Sequence, residues 1–199
     1  MLYVSPQEEP AGFDRDVRQK GLKYLRDKKI DLTKPLPSNS NLNPYWRAFL
    51  PEMHSLYGGV CAYLAIHFER VTGAGSVDHF VAKSIRADLA YEWTNYRLAC
   101  SVMNSRKKDY EDVLDPFEIK DGWFRIELVS GRIYPNPYLS DEQAASVQKT
   151  IDRLKLDDGG NREVRARHFQ EYCQGEYTTS FLKKRSPFVW FEANRQGLL

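Results

Sequence analysis

Four side chains in the middle of the chain carry the types that phosphate chemistry needs: Asp78, His79, Asn95 and Asn104. Cutting a phosphodiester requires a nucleophile, charge neutralisation at phosphorus and help for the departing oxygen. A hard divalent cation such as Mg²⁺ serves the last two needs with one or two protein oxygens and several waters. Asp78 offers an anionic oxygen and Asn104 a neutral carbonyl oxygen. His79 titrates near pH 6.5 in an ordinary setting, so much of it is neutral at pH 7 and able to take a proton from water. Taken alone, His79 reads as an ordinary surface or core histidine; Asp78 before it and the two asparagines after it reverse that reading. Around them lie Lys83, Arg97, Arg106 and Lys107, cations suited to phosphate contacts that position a backbone without reading its sequence. A solvated helix face accounts for Arg97, Arg106 and Lys107 almost as well.

The elements that must hold these groups follow from local patterning. SVDHFV, residues 76–81, alternates and reads as a strand, and YRLAC, 96–100, as a second. Ser101 offers an N-cap to the helix formers of SVMNSRKKDYEDV. The order is therefore strand, loop, strand, helix. Successive strand residues point to opposite faces, so Asp78 and His79 reach one site only if the strand bends or ends there.

This order, with DHFVAKS followed by WTNYRLAC and NSRK, resembles the ββα-metal core of HNH endonucleases. The matched stretch spans roughly residues 57 to 117, about a third of the 199 residues. The resemblance implies a metal-dependent endonuclease acting on DNA, with RNA open as an alternative. It implies Mg²⁺ or Mn²⁺ held by Asp78 and Asn104, His79 activating water, and Asn95 fixing the geometry of His79. Cleavage would leave 5′-phosphate and 3′-hydroxyl ends. The flanks are similar to compact bacterial members, some from anti-phage defence operons, which admits an ATPase or other defence-system partner. A catalytically silent nucleic-acid-binding or structural subunit is the rival expectation. Many HNH proteins carry two Cys-x-x-Cys pairs for a structural zinc. Here Leu64 stands opposite Cys61 and Met103 opposite Cys100, and two thiolates do not close a tetrahedral site, even with His67 nearby. No structural zinc is expected.

The remainder frames this core. Residues 12–29 place Phe13, Val17 and Leu25 at helical intervals, and 31–44 read as an irregular connector. Trp46, Leu50, Met53 and Tyr57 recur at helical steps, with Pro51 kinking that helix or opening a second one. VCAYLAIHFERV reads as a further helix with Val60, Leu64 and Phe68 on one stripe and Gly73 as its C-cap. Residues 123–137 predict a hairpin around Ser130-Gly131. Ser140 caps a helix over SDEQAASVQKTIDRLKL, NREVRARHFQEYCQ is a second, and the aromatic tail SPFVWFEANRQGLL packs back. Asp115-Pro116 predicts a turn rather than a metal ligand. Tyr91, Trp93 and Tyr96 read as core more readily than as base-stacking platforms.

The fold class is α+β: a ββα core embedded in a mainly helical single domain with a C-terminal hairpin and helices. The implied boundaries are 1–55, 56–120 and 121–199. A formal net charge of +2 excludes any global polyanion-binding signature, so a nucleic-acid partner must be met locally. The three cysteines are odd in number and widely spaced, and MLYVSPQEEP is no signal peptide. With no apolar run of about 18 residues, the expectation is a cytoplasmic chain with no membrane partner.

Overall fold

The computed structural model describes residues 1–37, 40–72 and 74–199. The proposed cap at Gly73 and two positions of the connector fall outside them. The described residues form a mixed α+β structure of seven α-helices and two small antiparallel sheets. They divide into two compact units. One comprises Met1–Ser5, Val60–Phe68 and Asp112–Leu199; the other comprises Pro6–Gly59 and Glu69–Glu111. The helical residues upstream of the strands thus belong with them, whereas 60–68 join the C-terminal segment.

The unit holding the candidate residues begins with a π-helical turn, Asp14–Gln19, that runs into α1, Lys20–Asp27. Phe13, Val17 and Leu25 are buried as their spacing requires. Gly21 is needed on this helix because a Cβ there would fall 2.2 Å from the Tyr91 ring. A 3₁₀ turn, Tyr45–Phe49, leads into α2, Leu50–Leu56, and Pro51 sits in the first turn of α2, where a missing N–H costs nothing. Strands β1, Gly75–His79, and β2, Tyr96–Cys100, pair antiparallel with Asp78 opposite Arg97 and His79 opposite Tyr96. Helix α3, Ser101–Lys107, follows at once and packs on both strands. Cys100 rather than Ser101 occupies its N-cap, with no side-chain cap bond. An edge-to-face cluster of Phe13, Trp93 and Tyr96, with Trp46, Met53, Leu98 and Met103, forms the core.

In the other unit, residues 60–68 correct the helix expected there. Val60 and His67 form an isolated antiparallel bridge, and Ala65 adopts a left-handed φ of 51°. The cause lies just upstream. Gly58 and Gly59 take φ of 60° and 68°, which stops α2, and the chain then closes a turn through Ala65 N–H to Cys61 O. The hairpin forms as β3, Phe124–Ile126, and β4, Ile133–Pro135. Ser140 caps α4, Asp141–Leu154, in a capping box with Gln143. Helices α5, Gly159–Cys173, α6, Thr179–Arg185, and α7, Pro187–Arg195, complete the unit. Val147, Ile151, Leu182, Phe188 and Val189 are its buried centre. Asp115 accepts the Phe117 N–H in the expected turn, 2.9 Å away. Among the described residues no helix is long and apolar enough to cross a membrane.

Candidate active site

Strand β1 ends at His79, and the chain bends at Phe80. That ending resolves the alternation problem, because Asp78 and His79 both line one cleft of about 550 Å³, together with Asn104 from α3. Trp46, Arg47 and Leu50 also line it, as do Ser76, Lys83, Ser84, Lys108 and Asp109. All of these belong to one compact unit.

Asn104 is aimed by a residue two positions before Asp78. Its amide nitrogen donates to Ser76 Oγ. Donation through Nδ2 turns Oδ1 into the acceptor end of the side chain. Ser76 and Asp78 share a face of β1 by the two-residue period, so the strand carries an anionic oxygen and the anchor for a neutral one. Sequence reasoning passed over Ser76, although its i−2 position was the available signal.

His79 is fixed on three sides. Its Nε2 lies 2.9 Å from the Ala90 carbonyl oxygen, which can only accept, so Nε2 carries the proton and Nδ1 the lone pair. Trp46 meets the imidazole edge-to-face at 4.6 Å between centroids, and Tyr96 does so at 5.0 Å. The Tyr96 hydroxyl donates to the same Ala90 oxygen at 2.8 Å. Burial pushes the His79 imidazole down to about 3, and the Lys83 ammonium adds to the effect. The imidazole is therefore neutral at pH 7 and, in this buried setting, a weaker proton acceptor than an ordinary histidine.

Asn95 stays out of the cleft lining and acts on the loop beside it. Its Oδ1 accepts from Val81 N–H at 2.8 Å, while Nδ2 donates to the carbonyls of Val81 and Leu89 at 3.0 and 3.1 Å. Its own carbonyl accepts from Phe80 N–H. The turn after His79 is thus stapled to the turn before β2.

The expected phosphate contacts divide. Lys83 lines the cleft, with its ammonium 5.8 Å from the Trp46 ring centroid. Arg106 is half-buried and lies outside the cleft lining. Arg97 and Lys107 are corrected: they are 4% and 1% exposed, which removes them from any surface that meets a backbone. The Arg97 guanidinium donates to the carbonyls of Thr94 and Tyr96, and the Lys107 ammonium to that of Phe80. Both cations flank the Phe80 ring, at 5.0 and 5.2 Å. Arg47 and Lys108 take their places at the cleft. Lys108 was within reach of sequence reasoning as the third member of the basic run after Ser105. Arg47 gave no signal, being 28 positions before Gly75.

The donor set suits a hard divalent cation. Asp78 and Asn104 contribute oxygens of two kinds to a cleft large enough for several waters. Met103 is fully buried, and among the described residues Cys61, Cys100 and Cys173 form no disulfide. No family model matches this chain, and no curated protein matches it in sequence.

Proposed function

We propose that this protein is a metal-dependent endonuclease of the HNH type that hydrolyses phosphodiester bonds in DNA. The observation that carries the reading is the convergence of Asp78, His79 and Asn104 on one cleft, with the far ends of His79 and Asn104 tied down. The strand–strand–helix order that presents them agrees with the ββα arrangement the sequence resembles.

The residues act as follows. Nδ1 of His79 accepts a proton from the attacking water, while Nε2–H remains bonded to Ala90 O. That bond strengthens as the ring gains charge, since an ionised donor makes a shorter and stronger hydrogen bond. The water oxygen bonds to phosphorus, the bond to the 3′ oxygen breaks, and solvent protonates the departing oxygen. Asp78 and Asn104 would hold Mg²⁺ or Mn²⁺, which when bound neutralises charge on the scissile phosphate and assists the departing oxygen. Lys83, Arg47 and Lys108 meet non-bridging and neighbouring phosphate oxygens. Trp46 shields the imidazole from bulk water.

A nicking assay tests the reading, with Mg²⁺ and Mn²⁺ titrated over supercoiled plasmid, single-stranded DNA and RNA in parallel. Wild type should nick plasmid only with metal, and His79→Ala should lose roughly 10²- to 10⁴-fold in rate, the usual contribution of a positioned base. Wild type that binds DNA yet leaves every substrate intact across the titration sinks the enzyme claim.

A further inference from the structure

The unit that holds the candidate active site carries a second cleft, also about 550 Å³. It is lined by Tyr24, Lys28, Lys29, Asp31, Lys34 and Asn41, among others. Lys28, Lys29 and Lys34 are all exposed. Among the described residues Lys34 alone of the three is engaged by a carboxylate, Asp31, at 3.3 Å, and Asp31 also accepts from the Thr33 hydroxyl and N–H. Lys28 lies over the Tyr24 ring at 5.9 Å, and Lys29 adopts a left-handed φ of 54° just past the end of α1. A lysine there carries a backbone cost that a glycine would avoid. Lys23 and Arg26 add exposed charge on α1.

One backbone hydrogen bond ties the connector of this second cleft to the rim of the first. The connector that supplies Lys34 bonds to the rim of the catalytic cleft, Leu36 N–H donating to Ser84 O at 2.9 Å. Ser84 lines the first cleft beside Lys83. From Lys34 to Leu36 is two residues of chain, about 7 Å at most, which is the span of one or two nucleotides of backbone. Tyr24 anchors the other side by donating to Asn41 O at 2.7 Å. These two bonds tie Leu36 and Asn41, on either side of the lysine-bearing cleft, to Ser84 and to α1.

We propose that Lys28, Lys29 and Lys34 form a second phosphate-binding subsite, which holds the nucleic-acid backbone beyond the scissile position. This deepens the nuclease reading and rests on it for the identity of the polyanion. A run of phosphates matches the arrangement better than a single small anion does. The lysines are spread over the end of a helix and the connector after it, and the path from them leads to Ser84 and Lys83. Contacts of this kind position a strand without reading bases, so the subsite raises affinity and leaves chemistry alone.

The test measures binding separately from cutting. Fluorescence anisotropy with a labelled DNA duplex in Ca²⁺, over 50 to 200 mM salt, is recorded for wild type, Lys28→Gln/Lys29→Gln and, as a control, Lys120→Gln on the other unit. Each lost phosphate contact lowers the slope of log affinity against log salt by about 0.9. The double variant should therefore lose nearly 2 from the slope and bind several-fold to tens-fold more weakly at low salt. The control should match wild type. In Mg²⁺ the same double variant should raise KM and keep kcat, a split that loss of fold would not give. Wild-type slope and affinity in the double variant overturn the proposal, as does an equal loss in the control. Because binding is read without cleavage, an inactive wild type with an intact slope difference rejects the nuclease reading and leaves the subsite standing.

Discussion

The amide nitrogen of Asn104 donates to the hydroxyl of Ser76, across the interface between α3 and β1. The bond decides which end of the amide faces Asp78 and the cleft. Ser76→Ala removes the acceptor, so Asn104 can turn its nitrogen inward, where it would repel a cation. Outer-sphere partners of this kind are typically worth 10- to 100-fold in metal affinity or activity. We expect the Mg²⁺ midpoint of nicking by Ser76→Ala to rise by that order, with thermal stability close to wild type. Ser76→Thr, which keeps a hydroxyl, should recover most of the loss. An unchanged midpoint for Ser76→Ala would mean that Asn104 is not held through this bond.

Arg97 and Lys107 give a prediction of the opposite kind, because their charge is spent on main-chain carbonyls under the site. Replacing a buried, hydrogen-bonded cation leaves its carbonyl partners unsatisfied, at about 1–3 kcal/mol. Arg97→Met should lower stability to denaturant by that amount and leave the salt slope of DNA binding at its wild-type value. A reduced slope with unchanged stability would return Arg97 to the phosphate-contacting surface.

His168, on α5, is buried, and its imidazole is pushed down to about 4, chiefly by burial and then by the Arg185 guanidinium of α6. Arg167 adds to this depression, whereas Glu171 opposes it. The unfolded chain, with its histidine near 6.5, binds the proton first as pH falls. The stabilisation from the neutral folded form is therefore complete above about pH 6.5 and is lost as pH drops toward 4. One proton corresponds to about 1.4 kcal/mol per pH unit. His79 titrates in the same direction, so wild type should show a steep decline between pH 6.5 and 4. His168→Leu should decline less steeply by up to one proton. Urea melts at intervals across this range measure both slopes, and parallel slopes would contradict the assignment.

The arrangement around Asp78 was legible because it is built from short-range rules. Two short strands and a following helix fix where residues 78, 79 and 104 stand on their elements, and the requirement that β1 end at His79 follows from side-chain alternation alone. What sequence reasoning missed depends on partners far along the chain. Arg97 and Lys107 read as solvated because their types usually are; their burial arises from Phe80, which no local pattern links to them. The apolar spacing of Val60, Leu64 and Phe68 suggested a helix, but the bridge from Val60 to His67 supplies hydrogen bonds that outcompete it. Arg47 reaches the cleft only because the segment before α2 returns beside β1.

The chain crosses from one compact unit to the other four times, after Ser5, Gly59, Phe68 and Glu111. Neither unit is therefore a contiguous stretch of polypeptide, and a fragment ending at residue 111 would keep the residues of the candidate site yet leave the segment 60–68 without the rest of its own unit. Transplanting the candidate site into another scaffold thus requires two joined pieces, 6–59 and 69–111, with a new short bridge in place of the excised segment. Ribosomal synthesis imposes the matching order: the first unit can close once residue 111 has emerged, while residues 1–5 and 60–68 wait for partners still to be made.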